Sequence, residues 1–151
     1  METQLEASLG KLVEEVPFNS WLGLKAGTTT PTHAEMTLEV GPQHLNHVGT
    51  VQGAAQYALA ESTSGLMLLG AFPDLAHEAI ILSTAAQVSY RRQAIGNLRA
   101  RATLAVEEAD RIRRDLAMGP KTRVWVPVEV FDSDGQVVMN VKMEWLLRRI
   151  T

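Results

Sequence analysis

The chain has 151 residues, 46% of them hydrophobic and 21% charged, the balance expected of one globular domain, residues 1–151, that buries about two thirds of its unfolded surface. It has no cysteine, which excludes disulfides, a thiolate nucleophile and any metal site that needs sulfur. The net charge of −3 conceals an asymmetry: residues 1–78 carry two bases against nine acids, and residues 79–151 carry twelve bases against eight acids.

The opening METQLEASLGKLVEEV has acids where a signal peptide needs a basic region and an apolar run, so a cytoplasmic location is expected. Leu5, Leu9, Leu12, Val13 and Val16 recur at three- and four-residue steps and predict an amphipathic helix over Glu2 to Val16, stopped by Pro17. A hairpin follows, from Leu22 to Thr30 and from His33 to Val40, turning near Pro31. In its second strand Ala34, Met36, Leu38 and Val40 alternate with polar residues, the period of a half-buried strand. Thr50 is the expected cap of a long helix from Gln52 to about Gly70. Gln52, Gln56, Glu61, Ser62, Thr63 and Ser64 make this stretch too polar to span a bilayer, and no membrane partner is expected. Its small residues, among them Gly53, Ala54, Ala58, Ala60 and Gly65, let another layer approach the helix closely.

The second half reads as four strands, Ala79 to Tyr90, Leu98 to Glu107, Thr122 to Phe131 and Gln136 to Leu147, with a short exposed helix from Glu108 to Met118. Asp134 and Gly135 mark a hairpin turn, and Pro127 requires an edge or a bulge. Helix, two strands, long helix, four strands is an α+β order, best satisfied by an antiparallel sheet curled around one central helix. Seven arginines lie between Arg91 and Arg114. They suit either an anionic ligand such as a nucleotide phosphate or ordinary solvated faces. A nucleic acid partner is not expected, because the chain is acidic overall and no aromatics interleave with these arginines.

The stretch HLNHVGTVQGAAQYALAE, His44 to Glu61, resembles the NxxGxxHGG segment, followed by an acidic residue, of hotdog-fold acyl-CoA thioesterases. Asn46, Gly49, Gln52, Gly53 and Glu61 occupy the corresponding positions, and VSYRRQAIG, Val88 to Gly96, resembles the strand end and turn that follow there. Glutamine at 52, where histidine is commoner, resembles the branch acting on aromatic acyl-CoA. Ala54 replaces a family glycine, and Gly65 stands where that branch has a threonine, with Thr63 and Ser64 the nearest substitutes. The NHVGT string and the helix Glu108 to Met118 more closely resemble an uncharacterised thioesterase-like hotdog branch.

The resemblance implies a hotdog fold and hydrolysis of an acyl-CoA to free acid and CoA, with no metal or organic cofactor. Gly53, in the first helical turn, would offer a backbone N–H without an intrahelical acceptor to the developing oxyanion. Gln52 would add an amide contact, and Asn46 would order the loop or a water. Glu61 would attack directly or deprotonate water, and these two roles stay open. His44, Gly49 and Ser64 are expected against the substrate, with Tyr90, Arg91 and Arg92 toward the pantetheine and nucleotide end of CoA. Loop histidines such as His44 and His47 are usually structural, and His33 and His77 are expected on the surface. Trp21, Trp125 and Trp145, with Met36, Met67, Met139 and Met143, are expected in the core or at an interface.

Gln52 and Glu61 are nine residues apart. On one helix they lie about 13.5 Å apart and about half a turn out of phase, so they do not meet on one substrate atom within a subunit. A homodimer with paired sites is therefore expected, a dimer of dimers being the larger alternative. The competing reading is a non-catalytic acyl-CoA or acyl-carrier-protein binding module. A hotdog dehydratase fits less well, because no histidine stands at the helix start.

Overall fold

The computed structural model describes residues 3–150. Helix α1 (Gln4–Glu14) opens with a capping box, Thr3 accepting from the Glu6 amide while Glu6 accepts from that of Thr3. A second helix, α2 (Pro17–Leu22), stands where the sequence predicts only a stop and begins at that proline, three residues past the end of α1 at Glu14. Proline at a first helical position has no hydrogen bond to lose, so Pro17 starts a helix as well as stopping one. Gly23, at φ 88°, ends α2 in the left-handed region.

Strands β1 (Leu24–Thr29) and β2 (His33–Leu38) form the expected hairpin, with Leu24 opposite Leu38. The long helix α3 runs Gly53–Ala71. Its N-cap is Gln52, not Thr50; the Thr50 hydroxyl instead accepts from the Asn46 amide. A short turn of helix, α4 (Leu75–Glu78), leads into β3 (Ala79–Tyr90). Strand β4 stops at Thr103, short of the expected Glu107, because α5 already begins at Val106 (Val106–Met118). Strands β5 (Lys121–Phe131) and β6 (Val137–Arg149) complete the chain.

The six strands make one antiparallel sheet in the order β1-β2-β4-β5-β6-β3. One face curls over α3. Ala34, Met36, Leu38, Ala100, Ala102, Val126, Val130, Met139 and Met143 are buried on it, against Leu59, Leu66, Met67 and Leu68 of the helix. Small residues permit the contact: a side chain at Gly70 would meet Thr29 and the Thr30 carbonyl at 2.7 Å. Pro127 sits within β5, yet β4 pairs with β5 only from Val128 onward, so the missing amide falls where that side of the strand is bare. There α5 takes over. Arg111 donates to the exposed Arg123 carbonyl and bridges Glu108, Asp115 and Thr122, and its guanidinium holds the Glu108 carboxyl below the usual range.

The two sheet edges differ. At β1 the Ala26 amide donates to Glu14 of α1 at 2.7 Å, and Gly10 lets α1 sit directly on Ala26. At β3 nothing among the described residues covers the edge, and Ile80, Leu82, Val88 and Tyr90 are exposed along it. A long, apolar, unpaired edge is a template for another strand.

Candidate active site

The loop between β2 and α3 is held by its own polar side chains. A short 3₁₀ turn (Pro42–His44) places His44, only 4% exposed, with Nδ1 accepting from the Gly41 amide and Nε2 donating to the Leu22 carbonyl. Both ring nitrogens are thus engaged inside the protein; His44 ties the loop to the end of α2 and is turned away from any substrate. Asn46 closes the next turn: its Oδ1 accepts from the Val48 and Thr50 amides. Gly49 completes that turn at φ 80°, a conformation that strongly favours glycine. His47 and His77 are exposed. His33 is half-buried rather than superficial, its Nε2 lying 3.3 Å from Glu35.

Asn46 and its loop aim Gln52 and the start of α3 at solvent. Gln52 is exposed, and its side chain makes no capping bond. The Gly53 and Ala54 amides stand in the first helical turn, where an α-helix offers no acceptor. The ring of Tyr90 lies where a side chain at Gly53 would be, at 3.2 Å, and its hydroxyl donates to the Gly53 carbonyl. Gln52, Gly53, Tyr90, Arg91 and Arg92 with Asn46 line one cleft of about 430 Å³. Arg92 donates to Gln136, whereas Arg91 has no ion pair among the described residues. Four of the seven central arginines are occupied elsewhere, Arg99 and Arg101 on Glu35, Arg111 on α5 and Arg113 near Asp74.

Glu61 lines a different cavity, of about 390 Å³, between α3, the α1–α2 corner and strands β3 and β6. It is half-buried, and its Oε1 accepts from the Ser83 hydroxyl at 2.7 Å. Ser83 is a site residue that sequence reasoning missed; no local pattern marks a serine 22 positions downstream, and the β3–β6 register with its bulge at Ser83/Ala85 puts it there. Ser64 is fully buried. It accepts from the Trp145 indole N–H at 2.8 Å and donates to the Glu61 carbonyl at 2.7 Å, so it props the cavity wall instead of meeting substrate. Trp145 is indeed internal, while Trp21 is 78% exposed and Trp125 is also exposed. All four of the expected core methionines, Met36, Met67, Met139 and Met143, are buried.

The part of α3 that the sheet leaves open is a stripe at four-residue steps: Gly53, Tyr57, Glu61, Gly65 and Leu69 are all half-buried. Gln52 lies outside the helix, so its expected half-turn offset does not apply. What separates the two groups is rise along the axis, eight residues from Gly53 to Glu61, or about 12 Å. Tyr57 stands between them, its hydroxyl 3.6 Å from the Met143 sulfur. Burial pushes its phenol up, and the nearby Glu61 carboxylate and Tyr90 add to the effect. Among the described residues no group of three or more His, Asp or Glu side chains is placed to hold a metal ion, and no helix is long and apolar enough to cross a membrane.

The family model described as a domain of unknown function, DUF4442, matches residues 9–147. The chain belongs to that family. No curated protein matches it. Among solved structures, a Pseudomonas aeruginosa protein of unknown function described as a probable thioesterase is 23% identical, with 95% of each chain covered and a TM-score of 0.82. A Chlorobaculum tepidum protein of unknown function is 13% identical over 97% of this chain and 96% of its own, with a TM-score of 0.83. A thioesterase from Haemophilus influenzae is 16% identical over 99% of this chain and 93% of its own, with a TM-score of 0.72. With the wrapped helix and the strand order, these likenesses establish a hotdog fold for this DUF4442 member.

Proposed function

We propose that the protein hydrolyses an acyl-CoA thioester as a homodimer, each site joining Glu61 of one protomer to Gln52 and the Gly53 amide of the other. The observation that carries this reading is the open stripe of α3, which presents helix-start donors and a carboxylate about 12 Å apart, beside a bare β3 edge. Tyr57 is the midpoint of Gly53 and Glu61 along α3. A twofold axis passing beside it sets Glu61 opposite the partner's helix start. The same axis can be located on β3. Tyr90 touches Gly53 and Ser83 touches Glu61, so two β3 edges pairing antiparallel about the point between Ala86 and Gln87 satisfy the same symmetry.

In that arrangement the thioester carbonyl oxygen faces the Gly53 and Ala54 amides, whose unpaired N–H groups stabilise the negative charge that develops on it. Gln52 adds a neutral donor that does not titrate. Ser83 holds one Glu61 oxygen and leaves the other for water or for the carbonyl carbon. By either route the C–S bond breaks and the CoA thiolate leaves, taking up a proton; a water oxygen ends in the carboxylic acid. Arg91 and Tyr90 flank the entrance where a CoA nucleotide phosphate would lie.

The test is hydrolysis of an acyl-CoA panel, followed by thiol release, with wild type and Glu61→Ala. Wild-type turnover, abolished in the variant while CoA-thioester binding persists, is expected. Wild type and variant equally inert, yet both binding, would instead establish a binding module.

A further inference from the structure

The cavity at Glu61 has a direction. Its α3 wall is the continuation of the open stripe, Glu61, Gly65 and Leu69, with Trp145 and Ile81 on one side and Val16 on the other. Tyr90 meets Gly53, Ser83 meets Glu61 and Ile81 lines the cavity with Leu69, so β3 runs back along α3. Beyond the Glu61–Ser83 contact the groove is mainly apolar, Ser62 and Asn19 on its lining being bonded to each other. From Glu61 to Leu69 the helix rises about 12 Å. Gly65 keeps this channel open: a Cβ there would lie 3.5 Å from the Trp145 ring, so any longer side chain would fill the space beside the indole. The indole is itself fixed by Ser64 and cannot swing aside without leaving its buried N–H unpaired.

Resting on the hydrolase reading above, we infer that this groove takes a linear, medium-length acyl chain, laid along α3 of the protomer that supplies Glu61 and kept open over that length by the absence of a side chain at Gly65. An extended chain with C–C bonds of about 1.5 Å and angles near 111° advances about 1.25 Å per carbon. Twelve ångströms therefore hold about nine to ten carbons. A compact aromatic acyl group would leave the Leu69 end of the groove empty. The polar end of the substrate stays between Glu61 and the partner's helix start, so the tail is bound by one chain and the thioester by both.

Binding and turnover separate this inference from the reading on which it rests. Affinities of ethyl, hexyl, decyl, hexadecyl and benzyl CoA thioethers, which cannot be hydrolysed, are measured by calorimetry, and kcat/KM is measured for the matching thioesters. A half-covered methylene gains about twofold, so decyl-CoA is expected to bind at least about a hundredfold tighter than ethyl-CoA, with no further gain at hexadecyl. Gly65→Leu lowers the decyl-to-ethyl affinity ratio at least tenfold. Gly65→Ala, whose Cβ makes only ordinary contact with Trp145, controls for folding. Val16→Phe narrows the groove from its exposed opposite wall and lowers the same ratio if the leucine variant does not fold. A ratio near one in wild type, tighter binding of benzyl-CoA than of decyl-CoA, or a ratio untouched by both blocking variants overturns the groove. Length-dependent binding without any hydrolysis keeps the groove and removes the hydrolase.

Discussion

Sharing of each site between two chains makes a quantitative prediction about mixtures of inactive proteins. Gly53→Pro removes the helix-start amide proton at the position where proline is best tolerated. The preceding residue, Gln52, already has φ −58° and ψ 135°, the extended conformation a pre-proline residue takes. The new ring meets that of Tyr90, which is 56% exposed and has room on its solvent side to give way slightly. Loss of one oxyanion donor costs about 10²- to 10³-fold in kcat, and Glu61→Ala removes the carboxylate altogether. Since Gly53 and Glu61 are about 12 Å apart on one helix, each defect lies in a different half of a site. In a mixed dimer one site collects both defects and the other collects neither. An equimolar, randomly exchanged mixture contains about one half mixed dimers, each with one intact site of two, and recovers about a quarter of wild-type activity. The assay is acyl-CoA hydrolysis after co-expression of differently tagged subunits, with exchange checked by mass spectrometry. Activity that stays at the level of the parent variants in a mixture of proven dimers refutes the shared site, as does a monomer at assay concentrations.

Two further outcomes follow from single contacts. Ser64→Ala strands the Trp145 indole N–H in a buried setting; the cost of about 1–3 kcal/mol, less a few tenths for the better helix former, should lower Tm by several degrees. Chemical denaturation checks it, and a Trp145→Phe background should abolish most of the loss. Tyr57 should ionise above 10.0, first because it is buried and second because Glu61 lies near. Its folded value is raised, so the stability it contributes is complete below the unfolded value and is lost as pH rises through the folded one. Ultraviolet titration of phenolate in a Tyr90→Phe background, where Tyr57 is the one remaining tyrosine, should show the midpoint falling in Glu61→Gln without reaching the free value.

Much of the fold was legible along the chain. Alternation in β2 and the small-residue composition of α3 pointed to the main elements, because periods of two and 3.6 are set by local backbone geometry. The helices α2 and α4 were not legible. Proline at 17 reads as a stop, and its second role as a first helical residue depends on where α1 ends and how Asn19 donates back to the Val13 carbonyl. Thr50 looked like a cap by type; the competing bond from Asn46 claimed its hydroxyl.

The candidate site divides in the same way. Asn46, Gly49, Gln52, Gly53 and Glu61 lie in one short stretch, so their order along the chain already implies a loop, a helix start and a carboxylate in succession, with rise along a helix keeping the last two apart. What surrounds them depends on how distant segments pack. The β3–β6 register brings Ser83 to Glu61, the Trp145–Ser64 bond and the absence of a side chain at Gly65 shape the cavity, and His44 and Ser64 turn inward to spend their hydrogen bonds on the protein itself. Such partners come from residues tens of positions apart, and their meeting depends on strand register and burial, quantities that no local pattern along a chain encodes.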